Sequence, residues 1–176
     1  MKKVMLLTIF AALMMISSAA VAQTATGTLT VTATVNGSIQ LVFNSDASGL
    51  ALSSGAGTNT ATLAFGNVSA FGAISAGIVR STTASNFTVS SAVDVQVAKT
   101  NSASANYTLK AQLGAADAVN TWTVGGVAVT NAAQSTLTAT GAYAANSNFP
   151  VAITVPFTTA SGTLISNTIS YIATAN

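Results

Sequence analysis

Residues Thr28 to Val35 read TLTVTATV, a hydroxyl side chain alternating with an apolar one without interruption. Successive side chains of a β-strand leave opposite faces, so this period of two sets Leu29, Val31, Ala33 and Val35 on one face. Thr28, Thr30, Thr32 and Thr34 occupy the other. Threonine and valine branch at Cβ, which favours extended backbone over helix. The segment reads as a strand with one face meant for burial. Whether its own chain or another copy buries that face decides what the protein does.

The residues before this segment have the pattern of a secretory signal. Lys2 and Lys3 precede an apolar run from Val4 to Ile16, broken only by Thr8, and Ala20-Val21-Ala22 supplies small residues for cleavage. The apolar run is too short for a stable membrane span. The expectation is a signal peptide over residues 1–22, a mature chain starting at Gln23, and passage out of the cytoplasm with no membrane span after cleavage.

Loss of the leader changes the charge balance. The full chain has five basic and three acidic residues. Without Lys2 and Lys3, Arg80, Lys99 and Lys110 face Asp46, Asp94 and Asp117, three against three, with no net charge. No basic patch remains for nucleic acid or anionic lipid. Removing 22 of 176 residues leaves 154, enough for one domain with a core. Sparse charge resists association poorly, while Thr, Ser and Asn can be buried against another protein at far lower cost than ions. Such a chain suits a subunit packed against copies of itself; a secreted monomer with a hydroxyl-rich face fits the same composition.

Chemistry has few candidates. The chain contains no His, no Cys and no Glu, which removes Ser–His nucleophile activation, thiol catalysis, disulfides and thiolate metal sites together. The three Asp lie in different segments without metal-ligand spacing, and Asp46 reads as a turn former. The stretch SSGAG lacks the lysine and following helix of a phosphate-binding loop. The chain is expected to be no enzyme, with no cofactor and no metal site. Trp122, Tyr143 and Tyr107 form a possible sugar-stacking set, although Trp122 at a hairpin and Phe65, Phe87 and Tyr107 in alternating strands read first as core.

Helical periodicity is absent after the leader, and strand-like runs recur between turn residues. The pattern predicts strands near Gly27–Asn36, Ser38–Phe43, Ala61–Phe65, Asn86–Ala98, Asn106–Leu113, Thr121–Val124, Val127–Thr130, Ser135–Thr140, Pro150–Thr158 and Thr163–Thr174. In TWTVGGVAVT a two-residue Gly125-Gly126 turn pairs Val124 with Val127 and Trp122 with Val129. Asn44 to Asn59 reads as a mobile loop of small residues. Pro150 and Pro156 each remove a ladder donor, which predicts an edge strand or a bulged one. Many short strands without helices predict an antiparallel β-sandwich.

The order of these features resembles the secreted pilin-like subunits of the spore coat U and archaic chaperone–usher pilus group. The resemblance rests on TGTLTVTATVNGSI, on Leu63-Ala64-Phe65-Gly66 after the first long loop, and on Gly162-Thr163 with Asn167-Thr168 before the last strand. This chain has Ser38 and Ile39 where the family usually has a cysteine, and follows Tyr171 with IATAN, so it resembles a cysteine-free variant. The resemblance implies an immunoglobulin-like, pilin-like sandwich over residues 37–176 that lacks one strand. It also implies an N-terminal donor strand over residues 23–36, with Leu29, Val31, Ala33 and Val35 seated in a neighbouring subunit. The implied partners are identical subunits in a homopolymer, with a periplasmic chaperone and an outer-membrane usher. The implied product is a surface filament supporting adhesion or biofilm. A monomeric surface or matrix adhesin, or a carbohydrate-binding sandwich, is the alternative, because an ordinary half-buried strand has the same alternation.

Overall fold

A computed structural model describes residues 26–176. The expected signal, residues 1–22, and the first residues of the expected donor segment lie outside the described residues. The chain divides into two units, Met1–Thr34 and Val35–Asn176. In the first unit the described residues form no strand and are exposed. The strand expected at Gly27–Asn36 therefore has no ladder partner among the described residues. Alternation marks a face for burial, but a strand needs a neighbour to bond to.

The second unit is all-β and of the sandwich class, with strands β1 (Ser38–Ser45), β2 (Val79–Thr82), β3 (Asn86–Ser91), β4 (Val93–Thr100), β5 (Tyr107–Leu113), β6 (Thr121–Val124), β7 (Val127–Val129), β8 (Ser135–Gly141), β9 (Asn146–Asn148), β10 (Val151–Pro156) and β11 (Ile169–Ala175). All pairings are antiparallel. They form a five-stranded sheet in the order β2-β3-β10-β6-β7 and two three-stranded sheets, β1-β4-β9 and β11-β5-β8. The expected long strand from Asn86 is found, but it is divided at Ala92: β3 belongs to the five-stranded sheet and β4 to a three-stranded one.

Strict alternation builds the core. In β3, β5 and β10, and in β4 as far as Val97, every second residue is buried, as a period of two requires where one face meets a partner layer. The buried residues fall into two groups. One joins Val95 and Val97 of β4 to Tyr107 and Leu109 of β5, all fully buried, with Ile39 and Leu41 of β1 packed against them. The other joins Phe87 and Val89 of β3, Trp122 and Val124 of β6, and Val151, Ile153 and Val155 of β10.

Two glycine positions are required by geometry. Gly125 and Gly126 have φ of 57° and 79°, the left-handed pair a two-residue hairpin demands, and β6 pairs with β7 in the expected register, Trp122 with Val129 and Val124 with Val127. Gly141 of β8 faces Tyr107 across the ladder, where an added Cβ would come within 2.3 Å of the phenol ring.

The prolines depart from expectation. β10 is the central strand of its sheet, not an edge. Pro156 is its last residue and Pro150 directly precedes it, so neither interrupts the ladder to β6, which spans Val151 to Thr154. The Pro150 carbonyl accepts from Gly125 N–H at 2.8 Å. The Asn44–Asn59 loop folds back on itself. Asp46 accepts from Ser48 N–H at 2.8 Å, Phe43 N–H donates to Thr58 at 2.8 Å, and the buried Ser91 hydroxyl accepts from Leu50 N–H at 2.7 Å.

Candidate functional site

The inner face of the five-stranded sheet has an open groove above it, with a cavity volume of about 1320 Å³. Its floor consists of Phe87 and Val89 of β3, Val93 at the start of β4, Trp122 of β6, and Val151, Ile153 and Val155 of β10. Two segments form its lips. The first runs through Leu63-Ala64-Phe65-Gly66 to Ala70, with Gly66 at a φ of 65° and a bend at Asn67, and the second runs from Thr159 through a turn at Ser161-Gly162 to Ile169, where β11 begins. Leu63 and Phe65, then Val68 and Ala70 after the bend, and Ile165 and Ile169 are half-buried against the core.

The sequence predicts these lips as strands at Ala61–Phe65 and in the first half of Thr163–Thr174. The structure gives them the inward and outward faces of strands and one antiparallel bridge, Thr62 with Ser54, but no continuous ladder. Among the described residues, the backbone N–H groups from Leu63 to Gly77 and from Leu164 to Asn167 donate no hydrogen bond. Extended chain with one face against a core normally has its polar groups paired. The two lips thus border the groove with no ladder between them among the described residues.

The two ends differ. At one end the first lip begins next to Phe43, which is bridged to Thr58, and the second lip reaches Tyr171. The Phe43 and Tyr171 rings meet edge to face, with centroids 5.1 Å apart, and burial pushes the Tyr171 phenol well above its ordinary pKa. Beyond them lies the fully buried group of Val95, Val97, Tyr107 and Leu109, so this end is closed. At the other end the Arg80 guanidinium, projecting from β2, donates to the carbonyls of Ser69 (2.9 Å) and Gly72 (2.7 Å) and holds the first lip. There Phe71 and Phe157 lie 6.1 Å apart and remain 73% and 40% exposed. Arg80 is a functional candidate that its sequence context did not reveal, because β2 reads VRST and carries no alternation signal.

The segment expected to fill a groove is fully presented. Leu29, Val31 and Val35 are 88%, 80% and 73% exposed, and Ala33 is exposed with them. Of the aromatic candidates, Tyr107 and Tyr143 meet, with ring centroids 5.3 Å apart, but Tyr107 is buried in the closed core. Trp122 is buried apart from them in the groove floor, so the three do not form one surface stacking face. The Trp122 indole N–H donates to Asp117 at 2.8 Å. Desolvation acts to raise the Asp117 pKa, but donors from Asn120, Trp122 and Val119 outweigh it and bring it down to about 2. Asp46 and Asp94 do come together, both accepting from the Asn148 amide at 2.8 and 3.3 Å. Hydrogen bonds from Ser48 lower the Asp46 pKa. Among the described residues, no three metal-ligating side chains cluster, and no helix is long and apolar enough to cross a membrane.

Comparison with protein-family models, with curated proteins and with solved structures finds no match to this chain.

Proposed function

We propose that this chain is a structural subunit of an extracellular, pilus-like filament, in which the Gly27–Val35 segment of one copy completes the groove of the next. The observation that carries this reading is the groove itself: an apolar floor between two lips whose N–H groups at Leu63–Ala70 and Leu164–Asn167 donate no hydrogen bond among the described residues. The segment has the matching properties. Its apolar face is exposed, and the seven residues from Leu29 to Val35 span about 23 Å as a strand.

Strand addition of this kind draws affinity from main-chain hydrogen bonds and register from alternate side chains in pockets. Full burial of Leu29, Val31 and Val35 contributes about 1.5–3 kcal/mol each, and each ladder bond adds about 0.5–1.5 kcal/mol net. A contact that joins one surface of a copy to a different surface of the next does not close, so it propagates as a filament. A chaperone and usher that cover the groove before assembly are the partners this reading calls for, and adhesion or biofilm support is the role it suggests.

The test is Val31→Asp, which puts a charge where the inserted strand needs an apolar plug. Filaments should vanish from negative-stain images while the chain is still recovered outside the cell. Unchanged filaments from that variant would refute the proposal.

A further inference from the structure

We infer that the exposed Phe71–Phe157 pair at the open end of the groove is a second contact between consecutive copies, seated against the folded body of the copy that donates the strand. The inference rests on the strand-exchange reading above and adds to it a surface outside the groove floor.

Chain length is the first argument. Only Asn36 and Gly37 separate Val35 from β1, which begins at Ser38. Three residue steps span at most about 11 Å. A copy whose segment lies in the groove as far as Val35 must therefore bring the start of its own β1 against the end of that groove. The Phe43–Tyr171 end gives a folded body no exit along the groove axis, since the closed core lies directly beyond it. The Phe71–Phe157 end is the one that can receive a body.

Exposure is the second argument. Among the described residues, the large apolar side chains most exposed include Leu29, Val31 and Val35 of the segment, which strand insertion covers, together with Leu164 on the outward face of a lip and Val79 of β2. Phe71, at 73%, has no such cover from an inserted strand. Its presentation is also held in place: Arg80 bonds the carbonyls on both sides of it, Ser69 and Gly72, and the Ser69 hydroxyl bonds the Phe71 carbonyl at 2.6 Å. Phe157 stacks on buried Phe87 with centroids 6.4 Å apart, which anchors the pair to the sheet. An aromatic fixed this way loses little conformational entropy when a partner covers it, and isolated aromatic anchors of this type often dominate interfaces.

The experiment separates the two contacts. A synthetic peptide of residues 23–36 is titrated onto full-length chain carrying Val31→Asp, with and without Phe71→Asp, and filaments are grown from otherwise unsubstituted chain with Phe71→Asp or Phe71→Tyr. The expected result is equal peptide affinity in both acceptors, with filaments of the Phe71→Asp chain dissociating about tenfold faster, because interface changes act mainly on the off-rate. Phe71→Tyr keeps the ring and should dissociate as the parent does. Indistinguishable dissociation of the Phe71→Asp filaments overturns the inference and leaves strand exchange standing. Loss of peptide binding on Phe71→Asp also overturns it, by assigning Phe71 to the groove. Failure of the peptide to bind the Val31→Asp acceptor at all overturns strand exchange, and this inference falls with it.

Discussion

The closed end of the sandwich and the grooved end are built from the same kind of sequence, short alternating runs of Val, Leu, Thr and Ser, yet they reach different degrees of completion. Around Val95, Val97, Tyr107 and Leu109, strands bonded to neighbours face one another and leave these side chains without solvent contact. Around Phe87, Val89 and Ile153 one side is a five-stranded sheet, while the facing side combines Ala111 and Leu113 of β5 with two lips that have no ladder between them. Alternation is enough to choose a face. Under the strand exchange proposed above, completing the grooved layer takes a further strand from another copy.

The sharpest way to break this comparison is amide hydrogen exchange. In the Val31→Asp chain, amides of Leu63 to Gly77 should exchange several orders of magnitude faster than those of β4 and β5, since unbonded extended chain opens at almost no cost. In assembled filaments of the parent chain, the lip amides should become protected. Equal protection of lips and core in the unassembled chain would erase the distinction.

Side-chain truncation comes next in size. Leu109→Ala in the closed core should cost about 2–5 kcal/mol in a denaturant titration, the range for a fully buried leucine. Phe65→Ala on the half-buried first lip should cost clearly less, about 1–2 kcal/mol, because part of its ring is already in water. A larger loss at Phe65 than at Leu109 would show that the grooved half holds the fold together.

The smallest effect is on pH dependence. The Asp117 carboxylate has a folded pKa of about 2, below its ordinary value, so its stabilisation is present above about pH 4 and is lost as pH falls toward 2. Asp117→Asn should reduce the slope of Tm against pH in that window. The slope should not disappear, because Asp46 is lowered as well and titrates in the same direction. An unaltered slope would mean that the hydrogen bonds from Trp122 and Asn120 do not hold that turn.

Particular elements show how much of the fold is legible in the residues alone. The β6–β7 hairpin was legible to its register, because Gly125-Gly126 has few alternatives once flanked by alternating Val and Thr. The antiparallel all-β class was legible from the same alternation. β2 and β9 were not, since VRST and NSN are short and polar and owe their pairing to long-range neighbours. The central position of β10 was hidden because a proline was weighed by its presence in the run, whereas Pro150 and Pro156 sit just before it and at its last residue. The groove was the least legible part. The faces of Leu63-Ala64-Phe65 and of Ile165 could be assigned from the alternation, but the missing ladder between them depends on segments about 100 residues apart. Arg80 is hidden for the same reason: the carbonyls it holds, at Ser69 and Gly72 around the end of the first lip, are 11 and 8 residues away, and nothing in VRST points to them.

The handover at Ala92 has a mechanical consequence. β3 floors the groove and β4 runs through the closed core, and the two are one covalent strand with a single residue between them. A pull applied along the floor passes through the backbone into β4, which is paired with β1 at every position from Ser38 with Thr100 to Ser45 with Val93. Force directed along that ladder has to shear all of those pairings at once, where force across it would peel them singly. The strand that bears the load at one end is thus riveted at the other.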